Sequence, residues 1–202
     1  MKKFQASILG AAALTIALTA HAGDDRAKTV AVMKRDFHAK GSAGMDRLDE
    51  DGPQALCNRS NNRPPKPIAE RLERDQLEAI KYPADGKFLG DWKSGERIAQ
   101  NGRGMTWSDR GAGADGGSCY NCHQIGPNET SFGSIGNSLH QFGKTRGNSP
   151  QIQKYVYGKI YNAKAFNLCS NMPRFGHSET LSEQQIKDLV ALLLDPGSPV
   201  NK

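Results

Sequence analysis

The chain has 202 residues, a length that suggests one medium-sized domain or a small domain with an extension. It carries 27 lysines and arginines against 21 aspartates and glutamates, so its formal net charge is +6. The basic residues are dispersed, which argues against a nucleic-acid-binding patch. The charge fits either a solvated surface or docking to an acidic partner surface.

The first 22 residues have the anatomy of a secretory signal peptide. Two lysines precede an apolar run of small residues over 8–20, and an Ala-His-Ala sequence ending at Ala22 fits a cleavage site. A membrane anchor is the alternative, but the run is short for a bilayer span. We therefore predict export, cleavage after Ala22, and a mature chain without a membrane span, with a formal charge of about +4.

Residues 23–89 are predicted to form an N-terminal extension. Its centre, CNRSNNRPPKP at 57–67, is rich in Asn, Arg and Pro, which predicts loop structure. The following IAERLERDQLEAIKY places apolar residues at helical spacing and predicts one amphipathic helix that ends before Pro83. The predicted apolar stripe consists of Ile68, Leu72, Gln76 or Leu77, and Ile80.

A compact module is predicted over 90–202. Its first helix is short, with Asp91 as its cap and Gly102 at its end. The next predicted helix starts with Ser149 as cap and Pro150 in the first helical position. Few strand patterns and no repeats occur, so the module is predicted to be all-α. The apolar stripe of the second helix consists of Ile152, Tyr155, Val156 and Ile160.

The strongest helical pattern lies near the end of the sequence. Five apolar residues recur there at i, i+3, i+4, i+7 and i+8: Ile186, Leu189, Val190, Leu193 and Leu194. Asp195-Pro196-Gly197 is predicted to end the helix. Two capping boxes fit its start: Thr180 with Glu183, or Ser182 with Gln185.

The stretch SCYNCHQIGP at 118–127 carries the chemistry of this sequence. Cys-x-x-Cys followed at once by His is typical of covalent haem c attachment. On a helical turn Cys119 and Cys122 share one face, so their sulfurs can add to the two vinyl groups on one edge of a porphyrin. His123 can then offer a ring nitrogen to the iron as the proximal ligand. The motif predicts one covalently attached haem c.

Three other uses of this motif fit the sequence less well. A thioredoxin-like redox disulfide needs a strand-to-helix junction, whereas a Gly-rich loop precedes Cys119. A zinc site needs a second pair of ligands at metal-finger spacing, and none is visible. A plain structural disulfide leaves His123 without a role.

Met172 is the leading candidate for the second axial ligand of the iron. A methionine followed by proline lies in an extended or turn segment, and Met/His ligation suits electron transfer. An ordinary core methionine is the alternative. His140 and His177 are reserve candidates, and Met105 is a further candidate upstream.

Haem attachment leaves two cysteines, Cys57 and Cys169. In an oxidising compartment we expect them to pair, which would tie the extension to the loop carrying Met172 and restrict the motion of that loop. The alternatives are a free thiol, a bridge to a partner chain, or a Cys169 that takes part in chemistry.

The order of these features resembles a class I cytochrome c. A helix, Cys-x-x-Cys-His, a Gly-rich middle, a Met-Pro loop and a C-terminal helix follow one another, and GSIGNSLHQFGKTRG is similar to the haem-flanking segment of that class. The resemblance implies an all-α class I cytochrome c fold with an N-terminal extension. A proline common in that segment is missing after Gly136, and Pro127 is the candidate to supply its carbonyl to His123.

Residues 159–202, together with CYNCHQIGP and FGKTRG, more closely resemble the SoxX family, the monohaem cytochrome c subunits of SoxAX complexes in the bacterial sulfur-oxidising (Sox) system. The resemblance covers 90–202 and is specific at NMPRFGH and DPGSPVNK. It implies a periplasmic, electron-accepting subunit of a complex that oxidatively couples thiosulfate to a cysteine of the carrier protein SoxYZ. It also implies SoxA as heterodimer partner, SoxYZ as a partner through the complex, and a downstream cytochrome c acceptor.

Carried over by position, the resemblance makes His123 the proximal and Met172 the distal iron ligand. With both axial positions filled, this chain alone is expected to transfer electrons rather than catalyse. The enzyme activity, that of an L-cysteine S-thiosulfotransferase of the SoxAX type, would belong to the heteromeric complex. Alternatives are a free-standing periplasmic electron shuttle of another pathway, and a haem enzyme or sensor with an open iron.

Three basic residues near these motifs have open roles. Arg174 could bind a haem propionate or lie exposed on the surface. Lys144 and Arg146 flank the haem loop, where they could contact a partner or simply be solvated.

Overall fold

The computed structural model describes residues 21–104, 106–109 and 115–202. Residues 1–20 of the predicted signal peptide and the candidate ligand Met105 lie outside the described residues. Every regular element in the described ranges is helical, and the β-type pairing there is one isolated bridge between Lys40 and Ala43. The predicted all-α class is confirmed.

The chain divides into two compact units, Met1–Asp49 and Glu50–Lys202. The described part of the first unit contains helix α1, His21–Asp36, and a 3₁₀ helix at Met45–Leu48. An ion pair of 3.0 Å joins Lys34 to Asp49 within this unit. Both side chains are more than half exposed, so the pair contributes no more than about 1 kcal/mol to stability.

The second unit contains six α-helices in its described residues, with 3₁₀ turns between some of them. None of the helices in the described ranges combines the length and the apolar character that crossing a bilayer requires. The helices are α2 Gly52–Arg59, α3 Lys66–Glu78, α4 Trp92–Gln100, α5 Phe142–Arg146, α6 Pro150–Tyr161 and α7 Glu183–Leu194.

Polar caps fix the starts of the three helices that surround the core. Asp91 accepts hydrogen bonds from two backbone N–H groups at the start of α4, and Ser149 accepts one at the start of α6. At α7 the capping box is formed by Ser182 and Gln185, which decides between the two predicted boxes. The predicted starts of α4 and α6 are confirmed.

Helix α2 was not predicted, although it carries a complete capping box. The Asp51 side chain accepts from the backbone N–H of Gln54, and the Gln54 side chain accepts from the backbone N–H of Asp51. These two bonds satisfy backbone donors that a short helix would otherwise leave without partners. The last residues of α2 reach into the segment that was predicted to be loop.

The core lies where α4 crosses α7. A Cβ atom placed on Gly95 would lie 2.2 Å from the backbone oxygen of Asp188, so the two helices touch backbone to backbone. The Asp188 carboxylate also accepts a 2.9 Å hydrogen bond from the backbone N–H of Asp91, at the start of α4. From α7 the core receives Ile186, Leu189, Val190, Leu192, Leu193 and Leu194, and from α6 it receives Val156, Tyr157, Ile160 and Tyr161.

Helix α3 behaves differently from the prediction. Ile68 of the predicted apolar stripe is 41% exposed, so the stripe was wrong there. Of the two residues offered for the third position, Leu77 is 42% exposed and Gln76 is half-buried. Ile80 is buried, but it lies beyond the end of the helix. No side chain within α3 is fully buried. Glu73 and Gln76 of this helix form hydrogen bonds with the rest of the unit.

Cys57 of α2 and Cys169 form a disulfide across a sequence separation of 112 residues. The bond joins residues 50–89 to the loop that precedes Met172. For a closed loop of this length the chain-entropy model gives a stabilisation of about 4–5 kcal/mol. The expected pairing of these two cysteines is thus present in the structure.

The close crossing of α4 and α7 predicts that one methyl group added at Gly95 lowers the stability of the protein. Gly95→Ala should destabilise the protein by about 1–3 kcal/mol, because the new Cβ meets backbone atoms of α7 that cannot rotate away. Gly52→Ala is the matched control, since a Cβ there meets no atom within 4 Å. Denaturant unfolding of both variants measures the difference. Equal free energies of unfolding would contradict the backbone contact.

Candidate functional site

The Cys-x-x-Cys-His segment forms one tight turn. Cys119–Asn121 is a 3₁₀ helix, and the backbone N–H groups of Cys122 and His123 both donate to the carbonyl oxygen of Cys119. Ser118 enters this turn in the left-handed region, at φ 47°. The backbone N–H of Ser118 donates to Asn101, at the end of α4. The turn is therefore fixed to the helix that crosses α7.

The orientation of His123 is set by a backbone carbonyl. Its Nδ1 lies 2.7 Å from the carbonyl oxygen of Asn137. A carbonyl oxygen can only accept, so Nδ1 carries the proton and Nε2 keeps a free lone pair for a metal ion. The expectation that Pro127 supplies this carbonyl was wrong. Asn137 supplies it from the turn that lacks the proline.

Gly136 allows this carbonyl to come close. A Cβ at Gly136 would lie 2.2 Å from Cε1 of the His123 ring, so any larger residue would displace the imidazole. The backbone N–H of Gly136 donates to the carbonyl oxygen of Cys122, and that of Gly133 donates to Tyr120. The segment 133–137 is therefore bonded to the cysteine turn at both ends and lies against the ring between them.

A cavity of about 410 Å³ lies beside His123, and Met172 lines it as well. A smaller space of about 40 Å³ shares His123 and Met172 and adds Cys119. The larger volume falls within the range of sites that hold cofactors and other small molecules. Apolar side chains from α6 and α7 form much of the wall: Val156, Ile160, Leu189, Leu192 and Leu193.

One side of the cavity is polar and basic. Arg146 and Lys159 line it, and burial lowers the pKa of Lys159 from its ordinary value. His140 lines the same cavity, and its buried Nδ1 has no hydrogen-bond partner within the chain. Buried polar atoms are normally hydrogen-bonded. The orphaned nitrogen and the two cations therefore fit a bound group that has an apolar body and acidic substituents, as haem has.

The structure brings some of the predicted iron ligands together and separates others. Met172 is half-buried against the core, and its backbone N–H donates to the Ser170 hydroxyl. Met172 and His140 share the cavity with His123. His177 is exposed and is not among the residues that line the cavity.

The two cysteines of the turn are not joined to each other by a disulfide. Burial raises the pKa of the Cys119 thiol to about 12. Redox-active dithiols rely on a lowered thiol pKa, because the thiolate is the nucleophile. This environment does not favour a thioredoxin-like role. In the described ranges, no three His, Cys, Asp or Glu side chains cluster in a way that could hold a metal ion.

Arg174 occupies neither of the two positions expected of it. Its guanidinium forms a 2.6 Å ion pair with Asp51 and donates to Gln76, and its side chain is 14% exposed. It is not among the residues lining the cavity. Arg146 lines the cavity, whereas Lys144 does not.

Sequence reasoning missed Asn137, Gly136 and Lys159. Asn137 acts through its backbone carbonyl, which no side-chain pattern reveals. Gly136 carried a usable signal, since its place in the haem-flanking segment marked a close approach of backbone. Lys159 was hidden in the pattern of α6, where it stands beside the apolar stripe.

No protein-family model matches the chain. A protein of Aquifex aeolicus (strain VF5), described as an uncharacterised lipoprotein, is 39% identical over 131 residues, or 64% of this chain. The match spans 61% of the length of that relative. A crystal structure of SoxXA from P. pantotrophus matches at 24% identity with a TM-score of 0.40, over 59% of this chain and 95% of the matched chain. These matches do not assign the chain to a family.

The contact between Gly136 and His123 yields a prediction. Gly136→Ala should destabilise the protein by about 1–3 kcal/mol, because either the imidazole or the segment 133–137 must move. Denaturant unfolding measures the change in the free energy of unfolding. Gly52→Ala serves again as the control. Unchanged stability in Gly136→Ala would show that the ring does not depend on this contact.

Proposed function

We propose that this chain is an exported c-type cytochrome that carries one covalently bound haem c and transfers electrons. The observation that carries the proposal is the shared cavity. His123 and Met172 line it beside a Cys-x-x-Cys-His turn, and His123 directs its Nδ1 proton to Asn137. An imidazole and a thioether are the ligand pair of electron-transfer cytochromes.

The chain's residues have distinct roles in this proposal. Cys119 and Cys122 would hold the haem by thioether bonds, and His123 and Met172 would hold its iron. The haem supplies a one-electron couple when bound. Leu193 and its apolar neighbours exclude water, while Arg146 and Lys159 offset the charge of acidic substituents at the polar side.

The two residues that would hold the iron favour electron transfer over catalysis. An imidazole from His123 and a thioether from Met172 would leave no position where substrate or oxygen could bind. The hydrogen bond to Asn137 makes the imidazole a stronger ligand and fixes its plane. The site is therefore suited to an outer-sphere electron relay, and an open-iron enzyme or sensor is the less suitable alternative.

The more specific proposal is that the chain serves as the electron-accepting subunit of a SoxAX-type complex in the periplasm. The resemblance of residues 159–202 and of CYNCHQIGP to the SoxX family supports it. SoxA would be the partner, thiosulfate would be coupled to a cysteine of SoxYZ by the complex, and a downstream cytochrome c would receive the electrons. A free-standing shuttle uses the same haem site without a stable partner.

The haem proposal predicts two separate losses. Protein matured with a haem-attachment apparatus should keep its pigment in acidified acetone, and Cys119→Ala with Cys122→Ala should release it, because both thioethers are gone. Met172→Ala should keep the pigment. It should lose the weak long-wavelength sulfur-to-iron absorption of the oxidised protein and lower its reduction potential.

Met45→Ala provides the matched control for the spectrum, since Met45 is exposed and lies in the first unit. Its spectrum should equal that of the unmodified protein. Colourless protein would overturn the cytochrome proposal. A sulfur band that survives Met172→Ala would reassign the distal ligand, and ready cyanide binding by the unmodified protein would favour an open iron.

The subunit proposal predicts a stable heteromeric complex. The native protein should co-purify with a second haem protein, so haem per complex should exceed the one haem expected per chain of this sequence. Native mass measurement together with haem counting tests this. A monomer that carries one haem and retains no partner would favour the free-standing shuttle.

A further inference from the structure

The loop over residues 167–174, here termed the ligand loop, carries Met172 and has few bonds of its own near that residue. The Met172 backbone N–H donates to Ser170 within the loop. The Met172 side chain packs against the core, while the longer-range hydrogen bond, disulfide and ion pair of the loop lie on either side, at Leu168, Cys169 and Arg174. The bonds at the two ends of the loop therefore limit where Met172 can be.

Helix α2 and the residue before it hold the loop by two bonds. Cys57 forms the disulfide with Cys169, three residues before Met172. Asp51, the cap of α2, forms the 2.6 Å ion pair with Arg174, two residues after Met172. The two Asp51 oxygens have different partners: Oδ1 accepts from the backbone N–H of Gln54, and Oδ2 contacts Arg174.

Helix α3 adds polar contacts to both ends. The Glu73 carboxylate accepts a 2.9 Å hydrogen bond from the backbone N–H of Leu168, which is buried. The Gln76 side chain accepts from Arg174 and from Asn162. From the other side, the buried ammonium of Lys164 donates to the carbonyl oxygens of Leu168 and Ser170.

We propose that the segment 51–78, comprising Asp51, α2 and α3, is the positioning element for Met172, with Asp51 and Glu73 as its positioning residues. The proposal rests on the proposed function, in which Met172 holds the iron. Its basis is the juxtaposition of an ion pair, a disulfide and a buried amide contact on the two ends of one short loop.

The polar character of the contacts made by α3 distinguishes the positioning of Met172 from general stabilisation of the unit. Helix α3 buries no side chain completely, and Ile68 and Leu77 stay exposed, so it adds little to the apolar core. Its hydrogen bonds reach Leu168 and Arg174 of the ligand loop, and also Asn162, the cap of the adjoining turn at Ala163–Ala165. Removing one of them should therefore open the loop locally rather than unfold the unit, since local opening follows the contacts that are lost.

Asp51→Asn is the sharpest variant. Asparagine is as good a helix cap as aspartate, so the cap of α2 is preserved, but the charge facing Arg174 is removed. Because Arg174 is mostly buried and Asp51 is 35% exposed, the loss lies between that of a surface pair and that of a buried pair. We expect the open fraction of the loop to rise about tenfold, equivalent to about 1.4 kcal/mol.

The experiment uses the haem-loaded full chain in four forms: unmodified, Asp51→Asn, Glu73→Ala and Glu70→Gln. Glu70→Gln is the matched control, because Glu70 belongs to an exposed ion pair with Lys66 on the same helix. Two rates are measured: amide hydrogen exchange across the ligand loop, and binding of added imidazole to the oxidised protein. Imidazole can reach the iron only when Met172 leaves it.

Asp51→Asn and Glu73→Ala should each accelerate both rates about tenfold, with α6 and α7 exchanging as before. Glu70→Gln should change neither rate. Unchanged loop exchange in both variants would overturn the positioning role. Equal acceleration throughout α6 and α7 would also overturn it, since that pattern means global destabilisation.

Failure of the proposed function is recognised separately. An unmodified protein that lacks the sulfur band, and whose spectrum Met172→Ala leaves unchanged, shows that Met172 is not a ligand, and this overturns the ligand-positioning role too. A normal sulfur band combined with unaltered exchange and imidazole rates in both variants overturns the positioning role alone.

Discussion

The hydrogen bond from His123 to the carbonyl of Asn137 is the interaction on which the candidate site depends. It fixes the tautomer of the imidazole, so that Nε2 is the nitrogen with a free lone pair. It needs Gly136, because a Cβ there would occupy the space of the ring. It also needs the two backbone bonds that attach segment 133–137 to the cysteine turn. The direction of one proton thus follows from local backbone geometry.

In the second unit, different helices make the apolar contacts of the core and the polar contacts to the ligand loop. Helices α4, α6 and α7 supply the buried core and much of the cavity wall, whereas α2 and α3 contact the ligand loop through charges, amides and a disulfide. An apolar core tolerates small rearrangements of side chains, while directional bonds specify position. The loop that carries Met172 is held by contacts of the second kind.

The parts of the fold that could be predicted from sequence are those with local signals. Caps and apolar periodicity predict helices α4, α6 and α7, and Cys-x-x-Cys-His marks the central turn. Helix α3 misled because its periodicity resembles that of a core helix while its contacts are polar. The partner of Arg174 could not be predicted, since Asp51 is distant in sequence and its side chain has a second role as a cap. Asn137 was hidden because a backbone carbonyl has no residue-type signature.

The crossing of α4 and α7 also sets an order of events in folding. The contact between the start of α4 and Asp188 spans 97 residues, and the cysteine turn lies between them. Such a non-local contact cannot form until α7 has been synthesised, and closing so long a loop is slow. Until that contact forms, the helix crossing to which the cysteine turn is bonded is incomplete. The proposed covalent chemistry on these thiols can therefore take place before α7 packs against α4.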